Sequence, residues 1–118
     1  MYEYKCTIDR IIDGDTVVLD VDLGFGMTKN VHTRLLDVYA PKNNTPEGKA
    51  ASSELQHMFN EFGPYFIVRF IKRRSFYRYV GTLWTTVSET KLENINDKMN
   101  EWFDDQRIKG NSDFKDVN

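Results

Sequence analysis

A single cysteine, Cys6, excludes an intrachain disulfide, and the two histidines, His32 and His57, stand far from it and from each other. No zinc-ligand spacing is therefore spelled out, and both histidines read as structural or exposed. No apolar run approaches the roughly 18 residues of a membrane-spanning helix, and the start Met1-Tyr2-Glu3-Tyr4-Lys5 lacks the apolar stretch of an export signal. These absences predict a soluble, cytoplasmic protein without a membrane partner. An excess of positive charge is missing too: 16 Lys and Arg against 18 Asp and Glu leave a net charge of −2. A phosphate-rich partner could then be held only by a local basic patch, not by the field of the whole chain. Prolines are scarce, and two of the three, Pro41 and Pro46, fall within 41–48, which reads as the clearest loop. Internal repeats and low-complexity tracts are absent as well.

What is present suits one compact domain. With 118 residues, 40% of them hydrophobic and 14% aromatic, the chain can build one core but not two. Tyr4, Cys6 and Ile8 alternate with polar residues, the period of a half-buried strand. After the turn signal Asp13-Gly14-Asp15, a second strand places Val17, Leu19 and Val21 on one face. Gly24-Phe25-Gly26 marks another turn, and 31–38 reads as a third strand. The period changes to that of a helix over 49–61, with Ala51, Leu55, Met58, Phe59 and Phe62 on one face and Gly63-Pro64 as its stop. Phe66, Val68 and Phe70 line a fourth strand, and 79–87 reads as a fifth, paired to it through 72–77. A second helix is expected over 98–109, burying Met99, Trp102 and Phe103 and capped by Gly110. Cys6, Trp84 and Trp102 read as packing residues. The predicted class is α+β, mainly β: a five-stranded OB-type Greek-key barrel with two helices. The domain is expected to span 1–110, with 111–118 as a flexible tail.

Four segments in order resemble the staphylococcal nuclease (thermonuclease) family. Ile11-Ile12-Asp13-Gly14-Asp15-Thr16-Val17 looks like its metal-site turn, and Arg34-Leu35-Leu36-Asp37-Val38-Tyr39-Ala40-Pro41 like the strand with its first catalytic arginine. Phe76-Tyr77-Arg78-Tyr79-Val80-Gly81-Thr82-Leu83-Trp84 resembles the hairpin with the second arginine, and Asn100-Glu101-Trp102 the start of a later helix. Asp22-Leu23-Gly24-Phe25-Gly26 is similar to a phage or bacterial subgroup. The resemblance covers roughly 4–108. It implies phosphodiester hydrolysis, in which one Ca²⁺, two arginines and a glutamate stabilise the developing charge and position the attacking water.

Carried over residue by residue, Asp15 matches the first metal carboxylate and Asp13 the acidic neighbour in the same turn. Arg34 and Arg78 match the phosphate-binding arginines, whose planar fork suits two oxygens at once. Ala40 falls where a backbone carbonyl reaches the metal. The second metal carboxylate, however, falls on Tyr39, and the glutamate on Lys42. A neutral phenol is a poor calcium ligand, and an ammonium replaces the base, so Ca²⁺ binding is expected to be weak or absent. Asp37, about 7 Å along the same face if this stretch is a strand, and Glu47 in the loop are the two carboxylates that could substitute.

A second feature is the basic-aromatic run Arg69, Lys72, Arg73, Arg74, Tyr77 and Arg78, suited to gripping single strands or simply to a charged hairpin edge. The favoured expectation is a nuclease-like domain with a degenerate centre that binds nucleic acid or an acidic or host protein, as a monomer, in the host cytoplasm if phage-encoded. The alternative is an active Ca²⁺-dependent nuclease acting on DNA or RNA. A third reading is a pure protein-interaction domain that uses 88–97 or the second helix.

Overall fold

The computed structural model describes residues 2–71, 79–85 and 93–117. Among them lie five strands and two helices: β1 Tyr2–Asp13, β2 Thr16–Gly24, β3 Met27–Leu35, α1 Pro46–Phe62, β4 Tyr65–Ile71, β5 Tyr79–Thr85 and α2 Ile95–Val117. The strands close into a barrel in the order β1-β2-β3-β5-β4. Every pairing is antiparallel except β3 with β5, which run parallel from Thr33↔Tyr79 to Leu35↔Gly81. This is the OB-type α+β barrel expected from the strand pattern.

Alternation fills the barrel. Val17, Leu19 and Val21 of β2, Val31 and Leu35 of β3, Phe66, Val68 and Phe70 of β4 and Leu83 of β5 all belong to one buried cluster with Cys6. Register shifts in β1 between Ile8 and Arg10 and between Ile11 and Asp13 bend that strand so that it can pair with both β2 and β4. Helix α1 covers one opening with Ala51, Leu55, Met58 and Phe59, and Phe59 meets Phe66 edge-to-face at 5.3 Å.

Several boundaries differ from the pattern in the sequence, each for a local reason. Strand β3 ends at Leu35 rather than at 38, because Asp37 takes a left-handed φ of 60° and Leu36 donates its N–H to Gly81 O at 2.9 Å. Helix α1 begins at Pro46 rather than 49: Thr45 accepts the Gly48 N–H as N-cap, and proline needs no N–H at the first helical position. A Cβ on Gly48 would overlap the Lys42 carbonyl, so the loop and the helix start approach only at a glycine. Strand β5 is described over Tyr79–Thr85, with 86–87 of the expected strand outside the described residues, and α2 starts at Ile95, where Asn94 Oδ1 accepts the Asp97 N–H at 3.0 Å. Helix α2 runs on through Gly110 to Val117, so Gly110 is not its cap and 111–117 belong to the helix.

Buried Asn96 ties α2 to the barrel. Its Nδ2 donates to Leu36 O at 3.0 Å and Gly81 O at 3.1 Å, while its Oδ1 accepts the Leu83 N–H at 3.0 Å. Ile95 and Met99 flank it at zero exposure. Asn96→Ala is expected to lower the unfolding free energy by about 2–3 kcal/mol, since it strands the Leu83 N–H and the Leu36 carbonyl while Gly81 O keeps the Leu36 N–H. A urea titration with unchanged slope and a lower midpoint would record that loss.

Cys6 is 2% exposed, and burial pushes its thiol up to about 12 from an ordinary 9.0. The unfolded chain ionises this thiol first. It therefore leaves stability unaffected below pH 9 and erodes it as pH rises from about 9 to about 12. At pH 8 an aromatic disulfide reagent should label Cys6 slowly in the native protein and at once in denaturant.

Candidate functional site

The β1–β2 connection is a two-residue turn, Gly14-Asp15, closed by the pair Asp13↔Thr16. Gly14 is required there by its neighbours: a Cβ would sit 2.6 Å from Ala51 Cβ and 3.1 Å from Ala40 Cβ. This close approach leaves Asp15 only 9% exposed. A buried carboxylate needs partners, and Asp15 has several. Its Oδ1 accepts the Thr16 hydroxyl at 2.9 Å. Its Oδ2 accepts the Ala40 N–H at 3.0 Å and lies 3.7 Å from Arg34 Nη2. Its backbone carbonyl takes the Leu35 N–H at 2.7 Å.

Arg34 sits on β3 opposite Thr16 on one side and Val80 on the other. The same Nη2 reaches Val38 O at 3.4 Å, so the chain folds back over the guanidinium after the strand ends. Tyr39 completes the return. Its ring centroid lies 5.0 Å from Arg34 Cζ, a cation–π contact, and the residue is 72% exposed. The Arg34 side chain is 34% exposed, enough to leave part of its donor fork facing solvent.

The turn that presents Tyr39 is held from α2. Asn96 binds Leu36 O, and Asn100 Nδ2 donates to Asp37 O at 3.1 Å. The spacing of Asn96 and Asn100 puts both on one helical face, a signal that sequence reasoning could have used and did not. The Arg34–Tyr39 contact was missed for a different reason: it depends on the break at Asp37.

The remaining candidates distribute unevenly. Asp13 Oδ1 accepts the Asn43 N–H at 2.8 Å and anchors the loop beyond the turn. Lys42 is exposed, its carbonyl accepts both the Thr45 N–H at 3.0 Å and the Thr45 hydroxyl at 2.7 Å, and no carboxylate among the described residues pairs with its ammonium. Glu47 lies exposed in the first turn of α1. Asp37 does not share a strand face with Tyr39, because residues 36–39 are no longer strand. Arg69, on β4, pairs with Glu3 at 3.1 Å. Lys72, Arg73, Arg74, Tyr77 and Arg78 lie outside the described residues, as do 88–92 of the polar segment. Among the described residues no three His, Cys, Asp or Glu side chains gather into a metal-holding group.

The chain matches no protein-family model, and no curated protein matches it.

Asp15 is expected to act as a joint. Asp15→Ala should cost about 2–3 kcal/mol of stability, by stranding the Ala40 N–H and loosening Arg34, and Asp15→Asn about 1 kcal/mol, because an amide oxygen can still accept from Ala40. Thermal melts of the two variants beside the parent protein provide the check.

Proposed function

We propose that this barrel is a departed relative of the staphylococcal nuclease family that grips the phosphodiester backbone of nucleic acid at Arg34 without cleaving it efficiently. The observation that carries this reading is how the Asp15 carboxylate is used. Both of its oxygens already accept hydrogen bonds, Oδ1 from the Thr16 hydroxyl and Oδ2 from the Ala40 N–H, and the Arg34 guanidinium stands 3.7 Å away as an ion-pair partner. A calcium ion needs several oxygens with their lone pairs turned toward it. Here it would have to displace a backbone N–H and an arginine to gain one carboxylate. This donor set does not fit the ion, and no step of the function is routed through it.

Arg34 is the group suited to an anion. Its Asp15 contact at 3.7 Å is long for a direct hydrogen bond, so the pairing orients the fork without saturating it. Tyr39 and Lys42 stand where the resemblance would put a metal carboxylate and the water-positioning glutamate. An exposed ammonium at 42 favours holding a phosphate and does nothing to activate a water. With the whole chain at −2, affinity must come from a few local contacts and fall with added salt. Arg78 and the basic run at 72–74 are the further phosphate contacts of this reading. Arg69, shared with Glu3, contributes less.

Fluorescence polarisation with a labelled DNA or RNA oligonucleotide, run with a cleavage gel in calcium and in chelator, tests the proposal. Expected are salt-sensitive binding, a loss of roughly tenfold in Arg34→Ala (about 1.4 kcal/mol), and intact oligonucleotide under both conditions. Calcium-dependent cutting that disappears in Arg34→Ala would establish the active nuclease instead. Absence of oligonucleotide binding, with capture of an acidic protein, would move the function to protein interaction.

A further inference from the structure

We infer that Tyr39 is a stacking platform for a nucleobase, so that the site takes single-stranded nucleic acid, with a phosphate on Arg34 and an adjacent base on the outer face of the Tyr39 ring. The inference rests on the phosphate-gripping reading of Arg34 and adds to it the part of the ligand that a duplex hides.

The ring is exposed yet firmly placed. Just before it, Val38 is fully buried in the core, and its carbonyl lies against Arg34 Nη2. Just after it, the Ala40 N–H is tied to Asp15 Oδ2. Tyr39 is thus fixed by backbone contacts on both sides while its own side chain is 72% exposed. A large aromatic left in water this way forgoes the burial that stabilises core rings such as Phe59, Phe66 and Phe70. The ring takes the Arg34 guanidinium with its Cζ 5.0 Å from the centroid, and with the residue 72% exposed most of its surface stays open to a ligand.

A guanidinium and an open ring held in contact match the two ends of a nucleotide, a charged phosphate and a flat π-surface joined through one sugar. Stacking on an aromatic is tolerant of base identity, since every base has such a face. It does require a base that is not already stacked and paired within a helix, so the geometry selects single strands over duplex. Lys42, exposed on the same segment and unpaired among the described residues, is placed to meet a neighbouring phosphate. The nearby carboxylates do not cancel this. The Asp15 oxygens are taken up by the Thr16 hydroxyl and the Ala40 N–H, and Asp13 is engaged by the Asn43 N–H. Asp37 and Glu47 are solvated and exposed.

The test separates base from backbone. Polarisation titrations use three probes at equal phosphate number: oligothymidylate, an abasic oligodeoxynucleotide and a blunt duplex. They are run on the parent protein, Tyr39→Leu and Tyr39→Trp. The parent is expected to prefer oligothymidylate to the abasic strand by about tenfold, in the range of one stacked base. Tyr39→Leu should weaken oligothymidylate binding about tenfold more than abasic binding and so erase that preference, and Tyr39→Trp should keep it. Equal binding of abasic and base-bearing strands by the parent would overturn the stacking role while leaving the phosphate grip intact. A Tyr39→Leu loss that is the same on both strands, or tighter binding of duplex, would overturn it too. Failure to bind any of the three probes would overturn the phosphate-gripping reading itself and this inference with it.

Discussion

One carboxylate holds the working end of this barrel together. Asp15 sits in a two-residue turn and has only nearby groups with which to satisfy its charge and its carbonyl. Its carbonyl accepts the Leu35 N–H at the end of β3, its Oδ2 accepts the Ala40 N–H, and its charge draws in Arg34. The segment between Leu35 and Ala40 is therefore gripped at both ends from a single residue. Everything distinctive about the site, including the fold-back of Val38 onto Arg34 and the outward ring of Tyr39, follows from the fixed separation of those two grips. A buried carboxylate with fewer donors would be costly. With a hydroxyl, an amide and a guanidinium around it, it becomes a structural joint.

The second helix supports the same segment from the other side. Asn96 spends both its N–H donors and an acceptor site on backbone groups of β5 and the β3 exit, and Asn100 adds a donor at Asp37. These contacts matter because residues 36–38 leave regular structure inside a packed region, where carbonyls without donors would be expensive. The turn can thus adopt a left-handed residue at Asp37 and still bury Val38 completely. Rigid support beneath a half-buried arginine and an exposed tyrosine reduces the ordering cost of binding, which small recognition sites need when they make few contacts.

Most of the architecture was legible in the residues. Strict alternation in Val17, Leu19 and Val21 and in Phe66, Val68 and Phe70 announced strands with one buried face, and Ala51, Leu55, Met58 and Phe59 announced a helix. Residues 36–39 were not legible. Leu36, Val38 and Tyr39 have the side chains of a strand, and only the backbone dihedral of Asp37, stabilised by partners far along the chain, breaks it. Pro46 misled in the opposite direction, since a proline that interrupts structure in most contexts starts a helix when a threonine caps it. The role of Asp15 was hidden for a related reason. A DGDT turn looks the same whether its second carboxylate faces an ion or the Ala40 amide, and that amide lies 25 positions away.

The parallel pairing of β3 with β5 carries a mechanical consequence. Among the described residues it consists of three partner pairs, against six to eight in each of the other ladders, and Arg34↔Val80 is the middle one. The seam that closes the cylinder is thus, among the described residues, its shortest, and Arg34 is stitched into it. Local opening follows the elements with fewest supporting contacts, so amide exchange should breathe here before it breathes in β1 or β2. An anion held by Arg34 would act as a rivet across that seam, coupling occupancy of the site to the integrity of the cylinder.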